Sequence, residues 1–173
     1  MKYLIAFPLL AMSLLLMVGC VTISNKDADL LATNHKAADA LIEKSGKKLQ
    51  SDRPVITASF VSIDNLTQSS SFGRMASQQV ATQFSNKGFT VVEMLLRNNV
   101  YIVNRSGEFL LSRELKNISA EHNAQAVIVG TYAQGKSSLF VTAKVIDTEN
   151  NTVIASHDYV LPLGPDTSYM LEK

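Results

Sequence analysis

The sequence predicts an α+β fold, a two-layer sandwich in which helices pack on a mixed sheet of about five strands. Three observations carry this expectation. Strand-like apolar segments alternate with helix-period segments through the middle of the chain, two alternating strands joined by polar turns close it, and neither an internal repeat nor an interdomain linker interrupts the order. A strand–helix–strand unit is nearly always a right-handed crossover between parallel strands, whereas strands joined by tight turns form an antiparallel meander.

Asp27 is placed to cap a helix running to about Leu49, with Leu30, Leu31, Ala37, Ala38, Leu41 and Ile42 at helical spacing; Gly46 weakens its last turn. Pro54 opens a strand from Val55 to Ile63, since proline at the first strand position removes no ladder bond. After the serine-rich loop Asn65–Ser71, a helix is expected from Phe72 to Lys87, with Phe72, Met75, Ala76, Val80 and Phe84 along one side and Gly88 as its stop. Phe89–Leu95 returns as a strand, and Tyr101, Ile102 and Val103 make a short extra one. Ser112 is placed to cap a helix to about His122 that buries Leu115 and Ile118. The strands Ala126–Tyr132, Leu139–Ile146 and Thr152–Leu161 follow, separated by turns at Gln134–Ser137 and Asp147–Asn151, and Pro162, Gly164 and Pro165 are expected to end regular structure.

Ahead of this domain stands a charged start at Lys2, a long apolar run, and Met17, Val18, Gly19, Cys20, the pattern of a secretory signal. The chain's single cysteine at the end of that run resembles the bacterial lipoprotein box, so residues 1–19 read as a cleaved signal, 20–26 as a short tether and 27–173 as one periplasmic domain. A plain cleaved signal or an N-terminal anchor helix is the competing reading. Lipid transfer of about 0.8 kcal/mol per buried CH₂ makes several acyl chains on Cys20 a durable anchor. Val21, rather than aspartate, follows the cysteine, and the lipoprotein sorting rule then sends the protein to the outer membrane. With one cysteine no intrachain disulfide can form.

Sixteen Lys and Arg against fifteen Asp and Glu give a net charge of +1 without a long block of one sign, which argues against a nucleic-acid partner. His35, His122 and His157 lie on separate elements and do not show zinc-ligand spacing. There is no G-x-S-x-G elbow and no phosphate-binding glycine loop, so neither a catalytic set nor a cofactor is expected. The densest group of charged and apolar side chains is Gly107–Glu114. Glu108, Arg113 and Glu114 read either as a partner-binding or catalytic group, or as acids favoured near a helix N-terminus with Arg113 in an ion pair and Phe109 and Leu111 in the core; the second reading is preferred.

Ala58–Asp64 (ASFVSID), Phe72–Arg74 (FGR), Gly88 with Val91–Glu93, Gly107–Glu114 (GEFLLSRE) and Gly130–Tyr132 (GTY) follow one another behind a lipoprotein signal. In this order they resemble the FlgO-type flagellar outer-membrane lipoproteins across essentially the whole mature chain. The resemblance implies a fold like the N-terminal domain of TolB and the periplasmic domain of curli-pore lipoproteins. It implies a non-enzymatic component of the flagellar basal body, associated in polar flagella with an outer ring, and no family active site. Cys20 carries the lipid in this reading, and Glu108, Arg113 and Glu114 serve fold or subunit contact. Two roles stay open: a scaffold subunit that assembles with itself and other basal-body proteins, or a monomeric adaptor reaching a peptidoglycan or envelope-assembly enzyme. The few residues between Cys20 and the domain favour the scaffold.

Overall fold

The computed structural model of the 173-residue chain describes residues 26–94, 102–105, 108–111 and 113–173. Among these, α1 (Leu30–Ser45) is followed by a short 3₁₀ turn (Gly46–Lys48), β1 (Val55–Ala58), β2 (Val61–Ser62), α2 (Ser71–Asn86) and β3 (Val91–Met94). Then come β4 (Ile102–Arg105), β5 (Glu108–Leu111), α3 (Arg113–Glu121), β6 (Ala126–Gln134), β7 (Ser138–Asp147), β8 (Val153–Pro162) and α4 (Pro165–Leu171). The main sheet has the order β3-β1-β6-β7-β8, with β2 prolonging β1 alongside β6, while β4 and β5 pair as a separate hairpin. Strands β3, β1 and β6 are parallel, and β6, β7 and β8 antiparallel, so the sheet is mixed as expected.

Each face of the sheet has its own apolar layer. Toward α1 and α2 point Val55, Phe60, Ala126, Ile128, Val141, Ala143 and Val145, meeting Ala38, Leu41, Phe72, Ala76, Val80 and Phe84. The opposite face, Ile56, Ala58, Val61, Val127, Val129 and Ile146, is covered by Leu115 and Ile118 of α3. Strands β1 and β6 are therefore buried on both sides and read as continuous apolar runs, the pattern of a covered parallel sheet. Strand β7 instead alternates, burying Leu139, Val141, Ala143 and Val145 while Phe140 faces out.

Several expectations are corrected. The first helix is capped by Asp29, whose carboxylate accepts from Ala32 N at 2.9 Å, because the chain becomes helical only at Leu30; Asp27 serves α4 instead. That helix ends at Ser45, where Gly46 adopts φ 50°, and Gly88 likewise follows α2 with φ 90°, a region inexpensive only for glycine. The expected continuous strand Val55–Ile63 is broken. Between Thr57↔Ile128 and Val61↔Thr131 the β1–β2 segment advances four residues against three on β6. This bulge reverses the side-chain alternation, so that Ala58 and Val61 both face α3 while Phe60 turns into the other layer. Met75 and Leu31 are exposed rather than core, and the chain after Pro162 forms a fourth helix rather than ending regular structure.

Candidate functional site

Three of the resemblance-bearing segments, ASFVSID, FGR and GTY, converge in space around one side chain, Phe60. It is fully buried at the bulge, where its backbone leaves the strand ladder; its N–H donates to Gly73 O (3.2 Å), and its carbonyl accepts from Ser69 Oγ (2.7 Å). Gly130 of β6 lies against the Phe60 ring and Gly73 of α2 against the Phe60 carbonyl, so closely that a Cβ at either glycine would fall well inside contact distance. Ser70 caps α2 by accepting from Gly73 N (3.2 Å), and its own N–H donates to the Tyr132 hydroxyl (3.0 Å). The rings of Tyr132 and Phe72 meet edge to face, 5.5 Å apart. The ASFVSID, FGR and GTY segments are thus one interlock that fixes the start of α2 on the sheet.

Beside the interlock, at the carboxyl ends of the parallel strands, opens a polar cleft of about 600 Å³ lined by Ser62, Asp64, Gln68, Arg74, Tyr132 and Gln134 and flanked by residues 171–173. Arg74 donates to Ser69 O (3.0 Å), Ser71 Oγ (2.9 Å) and Lys173 O (3.5 Å), so its guanidinium ties loop, helix and C-terminal segment together. Hydroxyl and amide groups dominate the lining. No group of three or more His, Cys, Asp or Glu able to hold a metal occurs among the described residues.

Asp27 makes a second connection that sequence reasoning missed. Its carboxylate accepts from Asp166 N and Thr167 N, both at 2.9 Å, and so caps α4 from 139 and 140 residues away. Burial works to raise the pKa of Asp27, but hydrogen bonds from Thr167, Asp166 and Gly164 outweigh it and hold the carboxyl below its ordinary value. Pro165 at the first helical position and Asp166 in the first turn were the sequence signals for α4. A third connection is a chain of side chains: Tyr159 donates to Asn34 Oδ1 (2.5 Å), and Asn34 Nδ2 donates to Gln79 Oε1 (2.7 Å). It joins β8, α1 and α2 through the buried Asn34, and burial pushes the Tyr159 phenol above its ordinary pKa.

The three histidines stay apart, His35 on α1, His122 just beyond α3 and His157 on β8. Of the Gly107–Glu114 group, Glu108 opens β5 opposite Arg105, and Arg113 and Glu114 open α3. Their side chains lie outside the described residues, as do Cys20, residues 21–25, Ser112 and Gly107.

This architecture defines a class. The C-terminal domain of LpoB from Salmonella enterica superimposes with a TM-score of 0.54 at 12% identity, covering 77% of this chain and 98% of that one. The LpoB C-terminal domain from Escherichia coli does so with a TM-score of 0.53 at 10% identity and the same coverage. At these identities the likeness is one of fold. No curated protein matches the sequence. The family is given by the sequence itself: the FlgO protein family model matches residues 35–166, and the chain belongs to that family.

Proposed function

We propose that this protein is a non-enzymatic lipoprotein, held through Cys20 at the periplasmic face of the outer membrane, that serves as a structural component of the flagellar basal body, in its outer ring or in the assembly of that ring. Membership of the FlgO family, over residues that include the whole interlock, carries this reading. The latch on Asp27 supports a scaffold in preference to a far-reaching adaptor. Because the fold already grips the chain at Asp27, only six residues separate it from Cys20, seven Cα-to-Cα steps and a reach of about 25 Å at ~3.5 Å per residue. Partners are then the membrane, neighbouring basal-body proteins and further copies of the chain, which heterologous contacts can close into a ring.

Deleting the protein and imaging flagellar motors in situ tests the role. The expected result is loss of ring density at the outer membrane together with reduced motility; unchanged motors and swimming would overturn the scaffold assignment.

A further inference from the structure

We propose that the end of the domain carrying the carboxyl ends of the parallel strands lies against the lipid headgroup region of the membrane, with its exposed apolar side chains inserted there. The inference rests on the anchoring of Cys20 proposed above and adds which surface meets the bilayer.

Chain directions define that end. Strands β1, β2 and β6 run toward it, and β7 leaves from it as β8 returns. Helix α2 starts there, since Ser69, Ser70 and Gly73 bond to Phe60 and Tyr132. Helix α1 runs parallel to α2, because Asn34 meets Gln79 while Asp39 meets Gln83 and Lys87. The amino terminus of α1 is therefore at the same end, and α4 is fastened there by Asp27, by Arg74 to Lys173 and by Leu163 N–H to Ser137 O.

Seven large apolar side chains are exposed among the described residues, and six of them, Leu31, Ile63, Met75, Phe140, Val160 and Tyr169, belong to this end; Val153 alone lies at the other. Isolated exposed apolar residues need no explanation, but their segregation to one end does. They come from six different elements or loops around the point where the chain leaves for Cys20, so the tether holds this end within about 25 Å of the bilayer surface. Phe140 and Val160 are cross-strand partners on the open part of the sheet face. Tyr169, 62% exposed, carries Lys173 Nζ 5.3 Å above its ring, the pairing of amphipathic ring and cationic tip suited to a headgroup layer. Charges at this end have both signs, Lys26, Arg74, Lys136 and Lys173 against Asp29, Asp64, Asp166 and Glu172, so apolar insertion rather than attraction to anionic lipid is the expected mode.

The chain has no tryptophan, which makes single-tryptophan variants of the full lipidated protein clean reporters. Tyr169→Trp, Phe140→Trp and the distal Val153→Trp are reconstituted in phosphatidylcholine vesicles with and without a spin label near the headgroup. We expect the label to remove about half of the emission at residues 169 and 140 and less than about a tenth at 153, as interfacial insertion requires, with little change when phosphatidylglycerol is added. Equal quenching at all three positions, or none at 169 and 140, overturns the inference. So does burial of those two tryptophans that tracks protein density without quenching, the signature of a second copy of the chain covering the surface. Intact mass of the same samples separates the premises: an unacylated chain overturns the anchoring and this inference with it, whereas an acylated chain with unquenched Tyr169→Trp overturns this inference alone.

Discussion

Gly130 and Gly73 leave no room for a side chain, and each does so against the same residue, Phe60. Gly130→Ala must displace a fully buried ring, and overpacking of this kind costs about 1–3 kcal/mol or more. We expect its thermal midpoint to fall by about 2–4 °C per kcal/mol for a domain of this size, read by circular dichroism. Tyr132→Phe keeps the edge-to-face contact with Phe72 but strands the Ser70 N–H, a loss of about 1–3 kcal/mol for a buried donor left unpaired. The glycines were visible in the sequence only as members of segments; nothing in their spacing names Phe60 as the common neighbour, because the bulge that turns Phe60 inward is a property of the pairing with β6. Asp27 shows the same limit. Its sequence position suggested the cap of the helix just ahead, but its carboxylate accepts from α4. With its folded pKa held below the ordinary 3.8, Asp27 adds stability that is fully present above that value and is lost as pH falls through the lowered one. Amides of residues 166–168 should therefore exchange hydrogen faster, relative to the core strands, on acidification below about pH 4, and Asp27→Ala should produce the same loss at neutral pH.

Among the elements, α1, α2 and β8 are joined by apolar packing and by the Tyr159–Asn34–Gln79 chain. Asn34→Ala removes the acceptor for Tyr159 and the donor to Gln79 at once, and a destabilisation of about 1–3 kcal/mol is expected in urea titrations. Helix periodicity found α1 and α2 to within a few residues because each buries one apolar stripe over four turns, and alternation found β7 because it is covered on one face only. Strand β8 is harder to read. The register shift between Val145 and Ile146 makes Val153, not Ile154, the partner of Ile146, so the alternation that holds from Ala155 onward does not extend back to the start of the strand. Lys44 also donates to Ser156 O on this edge strand (2.7 Å), placing a cation where another chain's strand would otherwise pair. Helix α4 escaped because its seven residues are too few to show a period, although Pro165 marks its first turn.

At the scale of the whole molecule, the hydrogen bonds of Asp27 to α4 and of Arg74 to Lys173 fasten both ends of the described chain at the carboxyl side of the parallel strands, where six of the seven exposed large apolar side chains among the described residues also gather. Cys20→Ser is expected to move the protein from the outer-membrane fraction to the soluble periplasmic one, since the remaining apolar contacts are individually weak beside several acyl chains; retention in the membrane fraction would count against lipid anchoring. The amino-acid sequence by itself determined the α+β class, the order of nearly all elements and the FlgO family, because burial on one or both faces writes its period into the chain and the matched residues span it. Only the tertiary structure decided that ASFVSID, FGR and GTY form a single interlock around Phe60, that Asp27 belongs to α4, and that six exposed apolar residues share one end. These are relations between residues up to 140 positions apart, and local periodicity carries no record of what the fold brings beside them.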